Sequence, residues 1–420
     1  MLTIDKTSYD SADFAAAFRE MSAIGALADP EGQTYAACLR SAFDVVCLAI
    51  FMRERGGSLL LIHGDTPYAT AKDLAVGAGC GHLIFGERHR IDRIGAPRSL
   101  RSGREPGLLQ YSSGTTGEPK LVARSWSEVG REIEFYNRGT DFLPGERPLI
   151  LVPVTHSFGL IAGVLSALER GAEPVVAEDR NPKFALHLLD RLPHSILYAV
   201  PFQLHLLDSL GGDRLRLRKS VVSGSPLTEA LFRRLSDRSE ELWQQYGCTE
   251  TGCLSIGRPA SATDVGSPLG HVELTIAEEE PAVGGGEIVA AVGGRVVNTR
   301  DVGYLDSSGS LRLLGRMDDL INVSGLKVLP AEVESVLSRM PGIEEAAVYR
   351  ARHRVWGEAV AARIVASAPV DPGEIRRWCA RYLPPYKVPS FIEQADEIPK
   401  LPNGKVSRKL LENGSDRERE

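Results

Sequence analysis

The stretch Tyr111-Ser112-Ser113-Gly114-Thr115-Thr116-Gly117-Glu118-Pro119-Lys120 decides how the rest of the chain is read. Residues 112–117 are all serine, threonine or glycine. Side chains this small let a backbone approach phosphates closely. Their N–H groups and hydroxyls can surround phosphate oxygens, and Lys120 adds positive charge. Taken alone, the same run also reads as a flexible polar loop after a strand. It is not the ordinary nucleotide loop, because G-x-x-x-x-G-K-[ST] is absent.

Around this loop the chain alternates between short apolar runs and helical stretches. Residues 35–54 read as a mostly buried helix ended by Gly56-Gly57, and 58–62 as a buried strand. A helix over 68–78 and a strand over 82–85 follow. The alternation recurs with a strand at 148–152, a helix at 158–169, strands at 173–177 and 195–200, and a helix at 201–210. Such a pattern predicts an α/β fold with a parallel sheet. From about residue 264 the texture changes: Gly284-Gly285-Gly286 and Gly293-Gly294 punctuate short strands, which reads as a small β-rich subdomain. A boundary near Gly315-Arg316-Met317-Asp318 divides a large N-terminal domain, 1–315, from a small α+β C-terminal domain, 316–420. In the latter, Pro330 opens a helix with Val333, Val336, Leu337 and Met340 on one face, and Gly342 is placed to end it. Strands at 345–350 and 358–366 and a helix capped by Asp371 follow. The polar tail from Glu412 is expected to fray.

Length and composition narrow the function. The 420 residues exceed one small core, and 43% hydrophobic with 25% charged residues is ordinary for a soluble globular protein. A net charge of −6 gives no electrostatic reason to expect nucleic acid. The longest apolar run, 43–52, contains Asp44 and is too short to cross a bilayer. No basic start followed by an apolar stretch marks a signal peptide. The six cysteines form no C-x-x-C pair and read as reduced thiols of a cytoplasmic protein. The nine histidines are scattered, so no metal cluster is visible.

Four more segments follow the loop in order: Tyr246-Gly247-Cys248-Thr249-Glu250-Thr251-Gly252, Asn298-Thr299-Arg300-Asp301-Val302-Gly303, the run from Gly315 to Val328, and Pro402-Asn403-Gly404-Lys405. Together the five resemble the motifs of the adenylate-forming superfamily of acyl-CoA synthetases, peptide-synthetase adenylation domains and luciferases. Arg300 stands where that family usually has glycine. The phosphate loop also comes earlier than usual, so the resemblance implies a shortened first subdomain, as in short stand-alone aryl-acid-adenylating members.

The resemblance implies ATP and Mg²⁺ as cofactors and a role for each matched residue. Ser112, Ser113, Gly114, Thr115, Thr116, Gly117 and Lys120 would hold the β- and γ-phosphates. Thr249 would contact the α-phosphate and Glu250 the magnesium ion. Gly224, Ser225 and Pro226, with Tyr246 and Gly247, would frame the adenine. Asp301 would accept from the ribose hydroxyls, and Arg316 would approach ribose or phosphate. Lys405 would stabilise the transition state of adenylation. Asp318 would be a hinge, and Gly325 and Lys327 would line the thiol channel used in the second step.

Thr155-His156-Ser157-Phe158 occupies the family's substrate-entry position, which puts His156 between carboxylate and phosphate. Ser157 stands where amino-acid-activating members place an aspartate. Burying an unpaired ammonium is expensive, so an α-amino acid is disfavoured. The flank Pro119 to Trp126 resembles the form found in siderophore aryl-acid ligases, pointing to a small aromatic acid such as a hydroxybenzoate. Phe158, Phe202, Ser223 and Cys248 are candidate pocket walls, and Trp126 reads as core packing. The implied partner is an acyl or aryl carrier protein that offers its phosphopantetheine thiol. Free CoA is the alternative acceptor, and a non-catalytic adenylate-binding protein is the alternative of another class.

Overall fold

The computed structural model describes residues 1–95, 105–112, 120–354, 356–400 and 406–417, with the side chains of 278–280 and 413–417 excepted. The fold is α/β. Two largely parallel sheets dominate the first 270 residues. In the nine-stranded sheet the strands Ser239–Cys248, Leu217–Val222, Ser195–Ala199, Arg147–Ile150, Val175–Val176 and Leu2–Ile4 lie side by side and parallel. In the six-stranded sheet the parallel strands are His82–Gly86, Thr34–Leu39, Ser58–His63 and Gly107–Ser112, with Lys120–Ser125 antiparallel at the edge. Strands covered on both faces carry continuous apolar runs in place of alternation. Leu59 and Leu60 accordingly point to opposite faces and are both fully buried.

That property accounts for one departure from expectation. The helix anticipated over 35–54 is two elements, the strand Thr34–Leu39 and the helix Ala42–Glu54. Every residue of the strand is buried, and an unbroken apolar run has no period to tell strand from helix. Ser41 makes the break, its hydroxyl accepting from the Asp44 N–H at 3.2 Å as an N-cap. A second departure is the stretch 158–169. It is helical, but Phe158–Leu165 is wound as a π-helix before one α-turn, Ser166–Glu169.

The helix Trp126–Gly139 joins the two sheets. Its Trp126 indole donates to the Gly57 carbonyl at 2.8 Å beside the six-stranded sheet. On the other side the Tyr136 hydroxyl donates to Gln245 Oε1 at 3.1 Å in the nine-stranded sheet. Trp126 is thus a buried packing residue.

Val272–Glu280, Gly285–Val292, Arg295–Leu305 and Leu311–Arg316 form an antiparallel four-stranded meander. Five strands from Ile321 onward build another sheet, covered by the helices Pro330–Leu337 and Pro372–Cys379 around Val333, Leu337, Val348, Ile364 and Ile375. The first of these helices stops at Leu337, with Ser338 as C-cap, so Gly342 does not end it. The tail expected to fray continues as the helix Arg408–Arg417, where the Glu412 carboxylate accepts from Arg350 Nε at 2.9 Å. Lys387 ties the two parts of the chain: its buried ammonium bonds the Ala282 carbonyl at 3.0 Å and pairs with Glu332.

Candidate active site

Three expected segments leave the nine-stranded sheet at the carboxyl ends of parallel strands. They are 151–157 after Arg147–Ile150, 223–226 after Leu217–Val222, and the turn 249–251 after Ser239–Cys248. Open α/β sheets bind ligands along this edge. In the six-stranded sheet, Ser112 and Lys120 face each other as the last and first paired residues of two antiparallel strands. They stand at the mouth of the expected phosphate loop. Ser113, Gly114, Thr115, Thr116, Gly117 and Lys405 lie outside the described residues.

Two positions before Ser112, Gln110 is buried and spans the gap between sheets. Its amide donates to the Thr155 carbonyl at 2.8 Å, and its Oε1 accepts from the Ser157 hydroxyl at 2.5 Å. His156, exposed, sits between the two residues so held. Gly159 is required just beyond, because a Cβ there would lie 2.5 Å from the Pro153 carbonyl oxygen. The π-helix then begins, with Phe158 partly buried against Tyr198 at a ring separation of 5.7 Å. Ser223 is buried and Cys248 half-buried, while Phe202 is 43% exposed on the helix Pro201–Gly211.

Thr249, Glu250 and Thr251 are the loop of a tight hairpin closed by the pair Cys248–Gly252. Two features fix it. Thr251 is buried, its hydroxyl 3.1 Å from the Cys248 sulfur. Beneath it lies a buried ion pair, Arg124 Nη2 to Glu132 Oε2 at 2.5 Å, whose second carboxylate oxygen accepts the Cys253 N–H at 2.8 Å. Gly252, at φ +77°, is packed directly on this pair, and a Cβ would come within 2.2 Å of Glu132 Oε2. Burial pushes the Cys248 thiol up to about 11, so it is protonated at neutral pH. Glu250 and Thr249 are left half-buried at the tip. A single carboxylate flanked by hydroxyls suits Mg²⁺, which keeps several waters and usually takes one or two carboxylates plus substrate phosphates.

Across from this turn, Tyr246 donates to Asp301 Oδ2 at 2.7 Å, and Arg316 Nη1 donates to Asp301 Oδ1 at 2.9 Å. A bulge aims the aspartate: Ile288 on one strand stands opposite three residues, Thr299, Arg300 and Asp301, on the next. Burial and the neighbouring Asp301 charge raise the Tyr246 phenol well above its ordinary range, so it stays a donor. Gly224 has φ +92° in the loop that holds Ser225 and Pro226, and Gly247 could not carry a Cβ, which would sit 2.1 Å from the Gly252 carbonyl oxygen. Asp318 lies in the one-turn 3₁₀ helix Met317–Asp319 between the meander and the last sheet. Gly325 and Lys327 belong to the hairpin of Ile321–Val323 and Leu326–Val328, turned at Ser324-Gly325 with φ of +50° and +92°.

Gln110, Glu132 and the bulge at Arg300 organise these parts, and none was singled out from the sequence as a site residue. Only the substitution of arginine for the usual glycine at 300 carried a signal.

The AMP-binding enzyme family model matches residues 58–297, and the model for the AMP-binding enzyme C-terminal domain matches 332–405. A 3,4-dihydroxybenzoate–[aryl-carrier protein] ligase of Bacillus anthracis is 43% identical over 415 residues, 99% of each chain. A 2-succinylbenzoate–CoA ligase of Geobacillus kaustophilus (strain HTA426) is 31% identical over 343 residues, 73% of this chain and 69% of that one. Among solved structures, ATP-bound MatB from Rhodopseudomonas palustris superposes with a TM-score of 0.85 at 21% identity, covering 98% of this chain and 95% of its own. The o-succinylbenzoate CoA synthetase MenE from Bacillus subtilis, in complex with its acyl-adenylate intermediate, gives 0.81 at 24% identity, covering 98% and 94%. These two likenesses are likenesses of fold.

Proposed function

The chain belongs to the AMP-binding enzyme family, and from that premise we propose that it activates a small aromatic acid with ATP and passes the acyl group to the phosphopantetheine thiol of an aryl carrier protein. The observation that carries this reading is the 43% identity along 99% of the 3,4-dihydroxybenzoate–[aryl-carrier protein] ligase. In the first step a carboxylate oxygen attacks the α-phosphate of ATP and pyrophosphate leaves. In the second the thiol attacks the acyl carbonyl and AMP leaves.

Two anions meet in the first step, so positioning and charge neutralisation carry the catalysis. Ser112, the small residues after it and Lys120 hold the outer phosphates. Thr249 meets the α-phosphate, and Glu250 holds a magnesium ion that offsets phosphate charge. Asp301, steadied by Tyr246 and Arg316, accepts from the ribose hydroxyls. Gly224, Ser225, Pro226 and Gly247 frame the base. His156, between the two residues anchored by Gln110, orients the carboxylate. Lys405 stabilises the charge developing between carboxylate and phosphate, and is withdrawn for the second step when residues 316–420 turn about Asp318, bringing Gly325 and Lys327 to the thiol. The Ser157 hydroxyl donates to Gln110, a neutral arrangement with no counter-charge for an α-ammonium group.

Pyrophosphate exchange against a panel of hydroxybenzoates, fatty acids and amino acids tests the acid. Exchange is expected with hydroxybenzoates, and its absence with every acid would sink the enzyme reading. Adding CoA or a phosphopantetheinylated carrier to the loaded enzyme identifies the acceptor, and turnover with CoA alone would replace the carrier.

A further inference from the structure

Arg300 occupies an unusual backbone state for a long side chain. Its φ is +62°, a left-handed conformation that disfavours any residue with a Cβ and that glycine adopts freely. The bulge opposite Ile288 imposes this state, and the Arg300 N–H is held there by Glu287 Oε1 at 3.0 Å. Strain of this kind persists only where the surrounding structure imposes it, and it clusters at functional sites. The Arg300 guanidinium reaches Asp318, Nη2 to Oδ1 at 2.8 Å.

Asp318 is gripped from two sides. Arg300 and, at 3.7 Å, Arg316 approach its carboxylate from adjacent strands of the meander. Its carbonyl oxygen accepts from Arg350, on the strand Ile343–His353 of the following sheet. The next residue, Asp319, accepts from Arg408 at 3.2 Å, three positions after Lys405. Rotation about the N–Cα bond of Asp318 carries its carboxylate away from the bulge along with the carbonyl held by the last sheet, and so opens the Arg300–Asp318 pair.

We infer that Arg300 is a positioning residue of the two-step reaction: an electrostatic latch that favours the arrangement seen here over its rotated alternative. The inference rests on the proposed rotation about Asp318. Arg300 touches no substrate in this role and acts only through Asp318. Both partners are partly exposed, 51% and 30%, so the latch is weak and screened by salt.

The test measures adenylate formation and thioester formation separately, in single turnovers, for the full chain with its acid and acceptor. Arg300→Gly removes strain and charge, Arg300→Asn removes charge and tolerates the backbone, and Arg300→Lys keeps charge. The Gly and Asn variants should shift the ratio of the two rates by about 2–5-fold, the span of an exposed ion pair. The Lys variant should stay near the parent, and the shift should vanish in high salt and in an Asp318→Asn background. A shift in Arg300→Gly alone would assign the effect to backbone strain and overturn the latch. Unchanged ratios in both variants, beside an Asp318→Pro enzyme whose two rates have separated, would overturn the role of Arg300 and leave the hinge standing. Normal rates for both steps in Asp318→Pro would overturn the hinge and this inference with it.

Discussion

Ser157 and Gln110 are joined by a 2.5 Å hydrogen bond although they lie 47 positions apart, Gln110 on a strand of the six-stranded sheet and Ser157 in the segment that leaves the nine-stranded one. Gln110 lies two residues before the mouth of the proposed phosphate loop, and Ser157 lies beside His156. The bond therefore sets the spacing between the proposed carboxylate and phosphate sites. Gln110→Leu strands the Thr155 carbonyl and the Ser157 hydroxyl, and an unsatisfied buried group costs about 1–3 kcal/mol. Pyrophosphate exchange should fall by up to about 10²-fold, as misplacing reacting groups by about 1 Å does. The KM for the acid should rise more than that for ATP. Equal changes in both KM values would remove the spacing argument.

The buried pair Arg124–Glu132 supports the hairpin that carries Glu250. Glu132→Ala leaves a buried guanidinium without its partner, a loss of about 3–5 kcal/mol. A large drop in thermal midpoint is expected. The double replacement Arg124→Met with Glu132→Met should recover much of it, since no lone charge remains. A double variant no more stable than Glu132→Ala would count against charge burial as the cause.

Lys405→Ala should slow adenylation by about 10²–10³, as loss of one electrostatic stabiliser does. Thioester formation from preformed adenylate should suffer far less. Single-turnover assays of both steps decide this, and equal losses would refute the division of labour between them.

The buried thiols make a prediction about alkaline pH. Burial pushes Cys47 and Cys80 up to about 12 and Cys248 to about 11, against an ordinary value near 8.5 in the unfolded chain. A folded-state value above the unfolded one gives stability that is fully present below the lower value and is lost as pH climbs through the higher. Thermal midpoints should hold to about pH 8.5 and then decline toward pH 11–12. Cys80→Ala should decline less steeply over the same range. Parallel curves for parent and variant would exclude Cys80 as a contributor.

The sequence was most legible where local chemistry is self-contained. Alternating apolar runs indicated an α/β fold, and five ordered motifs indicated the family. The strand Thr34–Leu39 was not legible, because residues buried on every side carry no periodicity. The helix after Arg408 was hidden for the opposite reason. Its composition is polar, and the partners that hold it, Arg350 for Glu412 and Asp319 and Glu334 for Arg408, lie more than 60 residues earlier. Gln110 and Glu132 are ordinary polar residues in sequence and acquire their roles only through Ser157 and Cys253, which the fold brings to them. Arg300 was visible as a departure from a motif, but its meaning depended on a bulge and on Asp318.

The winding of Phe158–Leu165 has a bearing on how much change in chain length the proposed acid pocket could tolerate. A π-turn contains one residue more than an α-turn. The Ser166 N–H reaching back to the Ile161 carbonyl is the signature of that extra residue. A π-turn and an α-turn each complete about one revolution, so removing one residue would let the stretch rewind as α-helix with the residues on either side facing nearly as before. Phe158 would keep its approach to Tyr198, and Gln110, rooted in the other sheet, would keep its place. A change in chain length of a single residue can therefore be absorbed here without re-aiming the proposed acid pocket.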